Sequence, residues 1–140
     1  MRAPLHDDIN CLAINLLHAA ENGKPKDEAK AYRALKALCE EHCGGELDHP
    51  LQWEALGDFS AGHEQAMAAY ASGLQCAERL GIDEYLASIN FAIAEAQCEA
   101  GDEAAALAHV QQAAQYCDAL DDAELAEAIV RLLGQLQGEE

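Results

Sequence analysis

The sequence predicts an all-α protein: about three antiparallel helical hairpins followed by a C-terminal capping helix, seven helices in all. Three observations predict it. The apolar residues, 51% of the chain, are largely alanine and leucine, and aromatics make up only 5%. Ala, Leu, Glu and Gln favour helix, while the β-branched and aromatic residues that favour strands are scarce. Gly23, Gly62 and Gly101 fall at equal intervals of 39 residues, each suited to the turn inside one hairpin. Finally, the apolar stripe Ala66, Met67, Tyr70, Leu74, Ala77, Leu80 recurs 40 residues later as Ala106, Leu107, Val110, Ala114, Cys117, Leu120. One pattern at one offset points to a repeated helix–turn–helix unit.

Each helix follows from periodicity and punctuation. The first runs from an Asp7/Asp8 cap to Gly23, with Ile9, Leu12, Leu16 and Leu17 on one face. The second begins at Pro25, a favourable first-turn residue, and ends before Gly44-Gly45, turning Tyr32, Leu35, Leu38 and Cys39 inward. The third starts at Asp48-His49-Pro50 and holds Leu51, Trp53 and Leu56. The fourth follows Gly62 and ends at Gly81; the fifth runs from an Asp83 cap to Gly101. The sixth runs from an Asp102 cap to about Leu120, and the last, from Asp121/Asp122, carries Leu125, Ile129, Leu132, Leu133 and Leu136. Connections of two to five residues permit only antiparallel neighbours.

A length of 140 residues suits one helical-repeat domain, residues 1–140. Within it, 1–45 read as a degenerate hairpin, 48–80 as the second hairpin, 83–120 as the third and 121–137 as the capping helix.

These residues resemble the tetratricopeptide repeat family, whose pattern joins a bulky residue, Leu-Gly, a Gly-Asp turn, a small Ala and then an aromatic. In the third unit Ile93-Ala94 take the Leu-Gly slots, Gly101-Asp102 the turn, Ala106 and Ala113 the small positions and Val110 the aromatic slot. The second unit offers Trp53-Glu54-Ala55-Leu56-Gly57, Ala66 and Tyr70. There Trp53 precedes Ala66 by 13 residues where the family expects about three more, so either Trp53 takes the leucine slot or the turn is shortened. The likeness covers about residues 48–118; a generic α-hairpin solenoid is the other reading. It implies a right-handed stack, with a concave groove lined by the first helix of each hairpin. Mapped onto this chain, the lining is Asp48, Leu51, Gln52, Ala55, Asp58 and Phe59, then Ser88, Phe91, Ala92, Glu95, Cys98 and Glu99. Alternatively, Phe59 and Phe91 pack between repeats. The groove cations with which some members grip a C-terminal carboxylate are missing from the mapped positions.

Charge narrows the partners. Twenty-six acids against eight bases give a net −18, and residues 37–140 hold twenty-one of the acids with only Arg79 and Arg131. Such a surface repels nucleic acid and anionic membranes, and it attracts a basic protein or peptide and speeds the encounter. Acidity also serves solubility alone. Residues 1–36 carry six bases and five acids; the stripe Lys26, Lys30, Arg33, with Lys36 nearby, is a solvated face or docks against the acidic end of another copy. No apolar run approaches the ~20 residues of a membrane span, and no signal peptide is visible, so the expected compartment is the cytoplasm. The six cysteines are then reduced, and Cys11, Cys76, Cys98 and Cys117 fall at core-like spacings.

Chemistry is sparse. No phosphate loop, nucleophile elbow or His-Glu-x-x-His pair occurs, and neither His63 nor His109 joins a nucleophile–base set, so no enzyme and no cofactor are expected. Cys39, His42, Cys43 and His49 are the nearest approach to a metal site, but they form no Cys-x-x-Cys knuckle, and the expectation is no metal. The function expected is therefore a non-enzymatic interaction module or adaptor for a basic partner. A dedicated chaperone and an antidote that neutralises a basic toxin are alternatives. A metal- or redox-responsive protein using Cys39 and Cys43 is the rival from another class.

Overall fold

Seven helices form where alanine-rich amphipathic segments meet strong stop signals. The computed structural model describes residues 3–138; Arg2, one of the bases counted above, lies outside them. Among the described residues the helices are α1 (His6–Glu21), α2 (Pro25–His42), α3 (Pro50–Asp58), α4 (His63–Leu80), α5 (Asp83–Glu99), α6 (Glu103–Gln115) and α7 (Ala123–Leu136), with no strand. A 3-10 turn, Cys117–Ala119, joins α6 to α7. The chain divides into two compact units, Met1–Cys76 and Ala77–Glu140, and α4 runs through the division.

In the first unit α1 returns through Asn22-Gly23-Lys24 to pack on α2. Gly23 takes the left-handed backbone (φ 63°) that a side chain resists, and the Lys24 N–H donates to the Ala19 carbonyl at 2.8 Å. In the second unit Gly101 (φ 83°) repeats the device between α5 and α6, with the Asp102 N–H on the Gln97 carbonyl at 2.9 Å. The first core gathers Ile9, Leu16, Leu35, Cys39, Trp53 and Leu56; the second gathers Ala87, Ala94, Ala106, Val110, Ala113 and Ile129.

Gly62, the middle member of the equal-spaced glycines, lies in the α3–α4 connection without a positive φ. Here the steric demand falls on Gly57, inside α3. A Cβ there would collide with the Tyr70 ring, which is itself 6% exposed and donates its hydroxyl to Asp58 at 2.6 Å. The glycine lets α3 and the start of α4 touch through backbone and ring.

The two 40-residue stripes show matching burial where they are most regular. Ala66 and Ala106 are buried, as are Tyr70 and Val110, while Met67 and Leu107, and Leu74 and Ala114, are half-buried. The match ends at the last two pairs: Ala77 is buried but Cys117 half-buried, and Leu80 is 43% exposed but Leu120 half-buried.

Several boundaries differ from the expectation. Asp7/Asp8 and Asp83 do not cap; they occupy the first turns of α1 and α5, whose N-caps are Leu5 and Ile82 without side-chain bonds. There the carboxylates meet the positive end of the helix dipole. Asp102 and Asp122 do cap, accepting from the Ala105 and Leu125 N–H groups. Helix α6 stops at Gln115 rather than near Leu120, since the chain tightens into the 3-10 turn. Leu17 is 50% exposed and points away from the core face of α1.

Gly57→Ala should destabilise the protein by about 1–3 kcal/mol, since the methyl must displace a buried, hydrogen-bonded ring. Chemical denaturation monitored by circular dichroism measures it, and an unchanged midpoint would remove this contact from the account.

Candidate protein-interaction site

Helix α5 is buried over most of its circumference: Leu86, Ala87, Ile89, Asn90, Ile93, Ala94 and Gln97 all face inward. What remains outside is one stripe. Glu84, Ser88, Phe91, Glu95 and Cys98/Glu99 succeed one another at steps of three and four residues, so they share a helix face. Helix α7 answers with Leu125, Ala128, Leu132 and Gln135, also at three- and four-residue steps, and Ile129, beside Leu125 and Leu132 on the helix surface, is buried in the core.

Between the stripes lie two clefts, together the α5–α7 groove. One, about 400 Å³, is lined by Phe91, Glu95, Cys98 and Glu99 from α5 and by Ala128, Arg131, Leu132 and Gln135 from α7. A second, about 230 Å³, is lined by Glu84, Tyr85 and Ser88 and by Leu120, Asp121, Asp122 and Leu125. Phe91 and Leu132 are half-buried and pack on the core of this unit, so the floor is apolar and held in place. Glu84, Glu95, Glu99, Asp121 and Asp122 are exposed along it, with Arg131 as the single base. Burial raises the Cys98 thiol pKa, and the neighbouring Glu103 and Glu95 carboxylates raise it further, which keeps the sulfur neutral in the groove wall.

The structure therefore brings Phe91, Glu95 and Glu99 together with a wall from α7 that the sequence reading missed. Helix α7 read only as a cap. Its signal was the width of the apolar face, where Leu125, Ala128 and Leu132 continue at helical spacing beside the core residue Ile129.

The candidates of the first unit fall out differently. Asp48 is 6% exposed and accepts from Trp53 Nε1 at 2.8 Å and from the Gly44 N–H at 2.9 Å. Gln52 is 0% exposed and donates from Nε2 to the Leu47 carbonyl at 2.7 Å, while its buried Oε1 accepts no hydrogen bond among the described residues. Both side chains tie the Gly44–Pro50 segment to α3 and are closed to a partner. Leu51, Ala55 and Phe59 are half-buried and pack on the first core, so Phe59 is a packing aromatic. Asp58 is exposed as a residue, but its carboxyl lies against the protein, where desolvation raises its pKa and the Tyr70 hydrogen bond opposes the rise.

The Cys/His set has structural partners. Cys39 is 0% exposed and donates S–H to the Gln52 carbonyl at 3.2 Å. His49 caps α3, its Nδ1 accepting from the Leu51 N–H at 3.1 Å. His42 lies 4.0 Å from Glu41, and Cys43 is exposed. Among the described residues no group of three or more His, Cys, Asp or Glu side chains is arranged to hold a metal ion, and no helix is long and apolar enough to cross a membrane.

The chain matches no family model, and no curated protein and no solved structure is significantly similar to it.

Two outcomes follow from the Asp48 and His49 bonds. Trp53→Phe keeps the ring in the core but strips a donor from a buried carboxylate, so unfolding free energy should fall by about 1–3 kcal/mol. Urea denaturation tests it, and a change near zero would mean that Asp48 finds another donor. Burial lowers the His49 pKa from 6.5, against the upward pull of Asp48. Below 6.5 the unfolded chain then binds more protons than the folded one, so stability falls as pH drops through that value. Thermal melts between neutral and mildly acidic pH should show the decline, and His49→Asn, a neutral cap, should reduce it; an equal decline in the variant assigns it elsewhere.

Proposed function

We propose that the protein is a non-enzymatic interaction module that binds a basic protein or peptide along the α5–α7 groove. The carrying observation is the pairing of an apolar floor, Phe91 and Leu132, with the exposed carboxylates Glu95 and Glu99 in one cleft, and a second cleft between the same helices edged by Glu84, Asp121 and Asp122. The surrounding unit supports the reading, since residues 77–140 hold fourteen acids against two bases, a net −12.

The two parts divide the work. A buried aromatic anchor supplies affinity, because a few apolar residues at the centre of an interface carry most of the energy. The carboxylates supply register and on-rate, because exposed charges steer a basic partner before contact. A basic amphipathic helix meets both requirements, its apolar face on Phe91 and Leu132 and its cations on the rims. Chaperone and antidote roles are two settings in which such a surface serves.

The reading is tested by titrating a labelled amphipathic Lys/Leu peptide into the full chain. Affinity should fall steeply from about 0.1 M to about 1 M salt, as the screening length shrinks from ~10 Å to ~3 Å. Phe91→Ala should cost about 2 kcal/mol of binding, and Glu95→Gln with Glu99→Gln should weaken binding mainly at low salt. Circular dichroism checks folding of each variant. Binding untouched by both sets of changes in folded protein would place the partner elsewhere or nowhere.

A further inference from the structure

Lys24, Lys26, Lys30, Arg33 and Lys36 are five of the eight lysines and arginines, and all five are exposed. The chain has twenty-six carboxylates, yet none of these five cations forms an ion pair among the described residues. Asp27, Glu28 and Glu40 share helix α2 with them. The cations are thus left for something else, or for water.

Two of them border a groove. Lys24 and Lys30 line a cleft of about 480 Å³ between α1 and α2, whose apolar floor includes Leu12 and Ala31. Asn15 and Asn22 add side-chain amides, and Asp27 is the one acid in the lining. The Asn15 side-chain amide makes no hydrogen bond among the described residues; Asn22 uses one side-chain N–H on the His18 carbonyl at 2.8 Å and keeps its amide oxygen and second N–H. Cations, unused amides and an apolar floor in one cleft match a ligand with carboxylates and apolar side chains in alternation.

Length and charge choose between anions. From Leu12 to Asn22 helix α1 rises ~15 Å, at ~1.5 Å per residue. That accommodates four or five extended residues at ~3.3 Å each. A nucleic acid or an anionic membrane continues its charge beyond the cleft and meets the field of a chain with net −18. A short segment does not.

We propose that the α1–α2 cleft is a second docking surface, taking a short acidic segment of a partner protein with alternating apolar side chains. Two of its carboxylates engage Lys24 and Lys30, the Asn15 and Asn22 amides bind its backbone, and an apolar side chain lies on Leu12 and Ala31. Lys26 and Arg33, outside the cleft lining, contribute only background attraction.

The test uses the full chain and a fluorescein-labelled Glu-Leu-Glu-Leu-Glu peptide, followed by anisotropy at about 0.1 M salt, where exposed charges act over ~10 Å. Saturable binding is expected. Lys24→Gln with Lys30→Gln should weaken it about tenfold, a loss of about 1.4 kcal/mol. Lys26→Gln with Arg33→Gln, which removes the same charge outside the cleft, should change it less than about twofold. All four positions are exposed, and binding of the basic Lys/Leu peptide should be unchanged in both variants, which separates this surface from the α5–α7 groove. Absence of saturable binding overturns the proposal, and so does an equal loss in the two variants, which indicates diffuse attraction. Equal displacement by single-stranded DNA at matched charge identifies a polyanion site instead. Sedimentation showing that the chain self-associates, and that the peptide dissolves the association, makes the occupant a second copy and overturns the partner assignment.

Discussion

Close helix approach is the constraint from which the rest of the structure follows. Ala87, Ala94, Ala106 and Ala113 have 0% exposure in the second core, and Gly57 lies against the Tyr70 ring in the first. Residues this small bring helix axes toward the ~8 Å end of the usual range. They also contribute little apolar area each, at about 25 cal/mol per Å². A helix built on alanine must therefore be buried over a wide arc to be held at all. Helix α5 shows the consequence: its inward arc takes Leu86, Ile89, Asn90, Ile93 and Gln97 as well as the alanines. Only one stripe is left for solvent, so the carboxylates of α5 are concentrated on that stripe, beside Phe91.

The buried polar side chains do a different task from the one that composition suggests. Asp48 and Gln52 lie inside because the Gly44–Pro50 segment has no regular structure to satisfy its own backbone. A carboxylate there accepts a backbone and an indole N–H, and an amide closes the Leu47 carbonyl. In the second unit Gln97, 8% exposed, meets His109 at 2.9 Å. The Nδ1 of His109 also lies 3.1 Å from the Ala105 carbonyl, a contact that the tautomer protonated at Nδ1 satisfies. These bonds orient elements of the fold.

The fold was legible because its signals are local. Pro25, Gly23, Gly101, Asp102 and Asp122 act within a few residues of where they stand, and the helices begin and end beside them. Asp7, Asp8 and Asp83 misled because an acid in a first turn and an acid at an N-cap look alike in sequence, and only backbone geometry separates them. The site was half legible. Phe91, Glu95 and Glu99 share a stripe whatever α5 packs against, so helical spacing alone collects them. The opposing wall depends on which face of α7 the core takes, a tertiary choice settled by Ile129. Asp48 and Gln52 looked like groove residues for the same reason, since burial of a loop-fastening polar group leaves no pattern in the sequence.

The thiols bear on the rival from another class. A redox or metal switch at Cys39 and Cys43 needs a thiolate, which is the nucleophile and the ligand. Burial pushes the Cys39 thiol up to about 12, and the Asp48 and Glu40 carboxylates add to the shift. The thiol proton is also committed to the Gln52 carbonyl, so ionisation breaks a bond that holds α2 to α3. Burial contributes most of the shift and the two carboxylates add to it, so the sulfur that joins α2 to α3 stays a neutral, hydrogen-bonded thiol.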